Sequence, residues 1–323
     1  MGSDDHSLPR RTVVGGLAAT AVSWNVGCGS QSSQEQAPLT PPPTLGAGER
    51  RLGRTGASVA PVSLGGEGVL RTTGENRTGI DMVEAALEAG ASYCDTAPAY
   101  GDSQDYSGAA FRNAGQGARD RVFLATKTHL RDRDQSLRLL DESLERLGTD
   151  RVDLWQLHDV RNVETLDTIF GNRGAIQAMR AARDDGRVRH LGITGHFDPR
   201  VLVEALRRFD FDSVLVPINP ADPLRKPFLP TVVAEARRRD VAVIGMKVFA
   251  KGRVLRAGVA TPEECLRYAT AFADTCIVGC DTATQARSNL ALGARIQPMN
   301  AEERTALEAR FAAHAGRFDY FKG

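Results

Sequence analysis

Between residues 58 and 292, short apolar, β-branched runs alternate eight times with segments of helical period, and this alternation constrains the fold more than any other feature of the chain. The strand candidates are 58–64, 92–96, 122–127, 152–158, 188–194, 213–219, 241–248 and 276–279. The helix candidates that follow them are 79–89, 103–113, 134–147, 175–185, 199–208, 228–239, 262–273 and 282–292, with a ninth at 301–313. In the third helix Leu137, Leu140, Leu144 and Leu147 fall at 3–4–3 spacing, an apolar stripe fit to lie on a sheet. Strands alternating with helices imply a parallel sheet covered by helices. Eight repeats in this length predict an α/β protein of the (β/α)8 TIM-barrel class rather than an open doubly wound sheet. The glycines after Leu64 (Gly65, Gly66, Gly68) lack the GxGxxG spacing of a Rossmann turn and read as an ordinary turn.

Composition narrows the function classes. The chain of 323 residues carries 41 Lys+Arg against 40 Asp+Glu, which supplies no basic field for nucleic acid. Its cysteines, Cys28, Cys94, Cys265, Cys276 and Cys280, form no CxxC zinc or redox pair. The composition breaks near residue 45. Ahead of the break, Arg10-Arg11 precede a weakly apolar run at 12–24 that is too short to span a bilayer, and a polar, Pro-rich stretch follows at 29–44. This layout resembles a twin-arginine export signal with a tether. Cys28, after Val26-Gly27, resembles a lipoprotein attachment site, although Asn25 departs from that pattern. The expected organisation is therefore residues 1–44 as signal and tether and residues 45–323 as one barrel. The expected location is the periplasm or cell envelope, with membrane contact only through the signal or a lipid on Cys28.

A barrel of this type carries its chemistry at the C-terminal ends of its strands. Those ends hold Asp95 on the second strand, Lys127 on the third and His158 on the fourth, and Tyr100 follows in the loop after the second. Alternation aims them inward, since Asp95 shares parity with Tyr93, Lys127 with Phe123 and Ala125, and His158 with Leu154 and Gln156. A phenol is a poor acid at neutral pH. A neighbouring ammonium is expected to lower its pKa while a carboxylate positions that ammonium. An imidazole can orient a carbonyl oxygen and stabilise its developing charge. The set lacks an activated serine or thiol and the clustered ligands of a metal site. It suits protonation of a carbonyl oxygen while a hydride arrives at carbon.

The residues around this set resemble the aldo/keto reductase family. The resemblance rests on Arg51-Leu52-Gly53-Arg54-Thr55-Gly56, Asp95-Thr96-Ala97-Pro98-Ala99-Tyr100-Gly101, Thr126-Lys127, the run 143–150 (SLERLGTD) and 152–158 (VDLWQLH). It implies Tyr100 as general acid, Lys127 and Asp95 tuning it, and His158 orienting a small-molecule carbonyl substrate. It implies NADP as cofactor, with NAD as the alternative, held along Gly66, Asp95, Thr194, Met246, Lys247, Gly279, Asp281, Gln285 and Asn289. The second half departs from the family. Thr194-Gly195 stands in place of Ser-Asn, Leu215 in place of the glutamine, and Met246 in place of the aromatic platform. Gly279-Cys280-Asp281 replaces a cationic phosphate grip. Two other readings remain: a nucleotide-binding member of the family with little activity, and an aldolase-like barrel using Lys127 as a Schiff-base nucleophile.

Overall fold

A computed structural model describes Pro42, residues 48–74 and residues 77–323. Arg10, Arg11 and Cys28, and with them the export and lipidation readings, lie outside the described residues. Contacts group Pro38–Gly323 as one compact unit. Its centre is a closed barrel of eight parallel strands. The strands are β1 (Val62–Gly68), β2 (Tyr93–Asp95), β3 (Phe123–Thr128), β4 (Val152–Leu157), β5 (Val188–Thr194), β6 (Ser213–Pro217), β7 (Ala242–Met246) and β8 (Thr275–Cys280). Each pairs with its sequence neighbour, and β8 closes the ring on β1 through Cys276 opposite Val62. The predicted TIM barrel is the fold observed.

Two apolar layers hold it. Tyr93, Ala125, Leu154, Leu215 and Ile244 fill the barrel interior, together with Leu52 and Val59. Their intervening neighbours, such as Trp155, Leu157 and Val214, face the surrounding helices. The helix Arg133–Leu147 shows why the local sequence obeys this plan. The Asp132 carboxylate caps its first turn through the amides of Asp134 and Gln135, and Gly148 ends it in the left-handed region at φ 65°. Its stripe then buries Leu140, Leu144 and Leu147, each contributing about 1.5–3 kcal/mol of transfer free energy.

Two predicted elements changed. Pro61 cannot donate to a ladder, so the first candidate strand divides. Ser58–Val59 pairs with Arg50–Arg51 in a hairpin that adds Leu52 and Val59 to the barrel interior, and β1 begins only at Val62. That strand then runs on through the glycines read from sequence as a turn. Gly65 and Gly66 are glycine because strands pass too close for a side chain. A Cβ on Gly66 would stand 2.5 Å from the Asp95 carbonyl oxygen and 2.9 Å from the Tyr100 ring. The sixth helix candidate opens with a wide turn, in which the Val233 amide donates to the Phe228 carbonyl at 3.0 Å, before Ala234–Arg238 winds normally. A short helix at Val163–Phe170 was not expected.

Candidate active site

The strand ends bring together the four residues that the sequence singled out. The Lys127 ammonium donates to Asp95 Oδ2 at 2.5 Å and to the Thr96 carbonyl at 2.9 Å, with neither charged side chain exposed to solvent. Asp95 Oδ1 accepts from Gln156 Nε2 at 3.4 Å. Lys127 Nζ also lies 4.7 Å from the centre of the Tyr100 ring, over its face. The Tyr100 hydroxyl and His158 Nε2 are 3.4 Å apart, with the two rings nearly perpendicular at 88°. Glycine at 66 lets the Tyr100 ring settle against β1.

Burial sets the electrostatics. It pushes the Tyr100 phenol well above its ordinary value, and the nearby Asp95 and Glu67 carboxylates add to that push. The lowering expected from Lys127 does not dominate, because the ammonium meets the ring face rather than the hydroxyl and is neutralised by Asp95. Burial likewise drives the His158 imidazole down to about 2, helped by the Lys127 charge. At neutral pH the pair is therefore a protonated phenol facing a neutral imidazole, two groups able to share one carbonyl oxygen.

A cavity of about 510 Å³ opens beside them, a size suited to a small ligand or cofactor. Gly66, Asp95, Tyr100, His158, Thr194, Met246, Lys247, Gly279, Asp281, Gln285 and Asn289 all line it. Of the site residues inferred from sequence, Lys127 alone does not. Fully buried and paired with Asp95, it has no open approach for Schiff-base formation, and the aldolase reading falls. The cavity runs from Tyr100 and His158 to the start of the helix Ala283–Gly293, capped by Thr282. Helix N-termini of this kind favour phosphate.

One of the second-half departures has a structural cause. A Cβ at Gly195 would stand 2.8 Å from the Val160 carbonyl oxygen, so an asparagine there would collide with the loop after β4. Thr194 Oγ1 accepts the Asp159 amide at 2.8 Å, which ties that same loop to β5. Leu215, at the cavity wall, presents no polar atom, and Met246 packs against the interior cluster.

A second cavity of about 660 Å³ shares Glu67, Arg71, Tyr100, His158, His196, Lys247 and Lys251 with the first. It adds Ala99 from the motif around Tyr100 and, outside that motif, His129, Arg131, Asp159, Arg161, Phe197, Tyr320 and Phe321. Sequence reasoning assigned none of these seven to the site, and it gave Gln156 only an inward aim. Arg131 lies four residues past Lys127, yet one arginine in an Arg-rich chain carries no signal until the loops are in place.

The sequence profile of the aldo/keto reductase family matches residues 62–264. An aldo-keto reductase of Bacillus subtilis, YhdN, is 34% identical over 132 residues, covering 37% of this chain and 38% of that protein. The 6-dehydroglucose reductase of Novosphingobium aromaticivorans is 30% identical over 193 residues, covering 54% of this chain and 60% of that one. The matched stretches thus span between about a third and two thirds of these curated relatives. Among solved structures, the holo form of the aldo-keto reductase AKR11C1 from Bacillus halodurans superposes with a TM-score of 0.66 at 23% identity, covering 81% of this chain and 95% of that one. A Bombyx mori aldo-keto reductase solved in complex with NADP superposes at 0.61 with 20% identity, covering 84% and 93%. The barrel, the strand-end residues and the matched profile agree, and the chain belongs to the aldo/keto reductase family.

Proposed function

We propose that the chain is an oxidoreductase that moves a hydride between NAD(P)H and an aldehyde or ketone, with Tyr100 as general acid. The observation that carries this reading is the protonated phenol and neutral imidazole of Tyr100 and His158, 3.4 Å apart at the end of the first cavity. When bound, a nicotinamide supplies the hydride for the carbonyl carbon. The rest falls to the chain. Tyr100 Oη donates to the carbonyl oxygen and gives up its proton as charge develops there. His158 Nε2–H holds the same oxygen and fixes which face is presented. Lys127, beneath the ring, offsets the phenolate charge left behind, and Asp95 holds Lys127 in place. The residues that would hold the cofactor are Gly66, Thr194, Met246 and Lys247 at the reacting end, with Gly279, Asp281, Gln285 and Asn289 at the far end.

Tyr100→Phe tests the acid directly and is expected to lower kcat for carbonyl reduction by about 10²–10⁴-fold. NADPH and NADH titrations, each followed by energy transfer from Trp155 in a Trp24→Phe background, test the cofactor. NADP is the proposed partner and NAD the alternative. The second reading, a nucleotide-binding relative with little activity, is favoured by Gly195 and Leu215, which withhold two amides from the nicotinamide end. Tight nucleotide binding, no turnover across a carbonyl panel and no effect of Tyr100→Phe would select it.

We further propose that residues 1–44 direct export by the twin-arginine route, with lipid attachment at Cys28, and that residues 45–323 form the exported domain. The support is the Arg10-Arg11 pair, the short apolar run and the polar tether. Shortening of the chain and its appearance in the cell envelope should both disappear in the double Arg10→Lys, Arg11→Lys variant. Mass spectrometry of the envelope form, compared with Cys28→Ser, reads the lipid.

A further inference from the structure

The second cavity, which shares Tyr100 and His158 with the first, is cationic, and its charges do not cancel. Its wall contains two carboxylates, Glu67 and Asp159. Both are already matched: Glu67 accepts from Arg71 at 3.1 Å, and Asp159 lies 2.6 Å from Arg161 and 3.2 Å from His196. Arg131, Lys247 and Lys251 line the same wall, and among the described residues none has a carboxylate within ion-pair distance.

Arg131 is the best placed of the three. Its Nη2 donates to the carbonyl of His158 at 2.5 Å and to that of Asp159 at 3.3 Å, and its Nη1 reaches the Thr128 carbonyl at 3.4 Å. The guanidinium is thus anchored by neutral partners to the backbone of the residue whose imidazole faces Tyr100. Its Nε–H and one Nη1–H remain uncommitted. Lys247 lies 5.5 Å from the Phe321 ring centre, on the wall shared by the two cavities. Its backbone is held in the left-handed region at φ 54°, as is Asp159 at φ 51°. Lys251 shares that conformation at φ 54°, so the loop after β7 carries two strained cations on this wall. Burial lowers both the Arg131 and Lys247 cations below their ordinary values, and the nearby Asp159 and, for Lys247, Glu67 carboxylates offset that only in part.

We propose that the substrate of this site is a carbonyl compound bearing a carboxylate or phosphate group, and that Arg131 receives that group while the carbonyl meets Tyr100 and His158. This rests on the reductase reading above. Lys247 and Lys251 add to the field that draws the anion in. A charge-assisted contact to a partly buried guanidinium corresponds to about a tenfold or greater advantage in kcat/KM over a neutral substrate of equal length.

The test compares matched pairs on the full chain with NADPH and NADH: succinic semialdehyde with butanal, and glyceraldehyde 3-phosphate with glyceraldehyde. The expected result is a preference of about tenfold or more for the charged member of one pair, falling as salt rises. The pair that shows it distinguishes carboxylate from phosphate. In Arg131→Met the charged-to-neutral ratio of kcat/KM should collapse towards one, and Arg131→Lys should restore part of it. Turnover of the neutral aldehydes with no preference for either charged one would overturn the proposal and leave the reductase reading standing, as would a ratio unchanged in Arg131→Met. No turnover of any of the four, with nucleotide bound, would remove the reductase reading and this proposal with it. The wild-type ratio and its salt dependence decide the matter even where the Arg131 variants fail to fold.

Discussion

The two halves of the barrel rim are built on opposite principles. Strands β2 to β4 end in Asp95, Lys127 and His158, and with Tyr100 these close a network in which ammonium, carboxylate and phenol are buried and matched. Strands β5 to β7 present Thr194, Leu215 and Met246 to the cavity. There the polar contacts either tie one loop to another or are missing. The buried Asp95–Lys127–Tyr100 cluster and the part that would grip a nicotinamide are thus structurally separable. The first depends on charges that fail together if one is removed. The second depends on neutral contacts that can be lost one at a time.

That contrast makes four measurable differences. The largest effect belongs to the matched half. Lys127→Met leaves Asp95 buried without its cation and should destabilise the fold by about 3–5 kcal/mol, read as a lower urea midpoint with an unchanged slope. Adding Asp95→Asn to it should recover a large share. A double variant no more stable than the single would show that the pair is not the structural unit described.

Next comes Leu215→Gln, which places an amide at the cavity wall of the unmatched half. It should tighten nucleotide binding by the value of one hydrogen bond, about 0.5–1.5 kcal/mol, read as a several-fold lower Kd. Gly195→Asn should fail to do the same. Its Cβ meets the Val160 carbonyl oxygen at 2.8 Å, so it should lower the melting temperature instead. Equal gains from both would mean that the loop after β4 yields more easily than its packing implies.

The pH dependences are smaller. Because the folded state holds His158 neutral down to about 2, reduction should show no limb near pH 6.5 attributable to this residue. A limb there, absent in His158→Gln, would place the imidazole in a wetter setting. Stability has a definite sign as well. The His158 pKa is lowered on folding, so below about pH 6.5 the unfolded chain binds a proton that the folded chain does not. Stability should therefore fall as pH drops from about 6.5 towards 2. His129, His190 and His196 are shifted the same way and steepen the loss. Denaturant titrations of the wild type and His158→Gln across that window measure this residue's share, which should be a shallower slope for the variant.

Much of the site was legible because it sits on regular strands. Asp95, Lys127 and His158 could be aimed inward by alternation alone, and Tyr93, Ala125 and Leu154, which share their parity, do fill the barrel interior. The first strand was misread at Pro61, where a missing N–H ended one pairing and the chain began another. The glycines after Leu64 do not form the turn that their sequence suggests, because the reason for them lies in distant segments: Asp95 and the Tyr100 ring against Gly66, and the β8 backbone at Val278 to Cys280 against Gly65 and Gly68. The phenol's pKa was expected to fall from proximity to Lys127. It rises because the phenol is buried beside the Asp95 and Glu67 carboxylates, while Lys127 meets the ring face rather than the hydroxyl, and neither burial nor direction of approach is carried by spacing.

Periodicity and residue order determined the barrel and the identity of the residues at its rim, because both follow from local repeats of two and 3.6 residues. Tertiary structure alone decided the character of the second cavity. Its cations come from the loops after β1, β3, β4 and β7, and the C-terminal residues Tyr320 and Phe321 complete its wall. None carries a signal within its own segment. They form a cationic wall beside Tyr100 only when the ring closes, because loops far apart in sequence share one rim only through the register of eight strands.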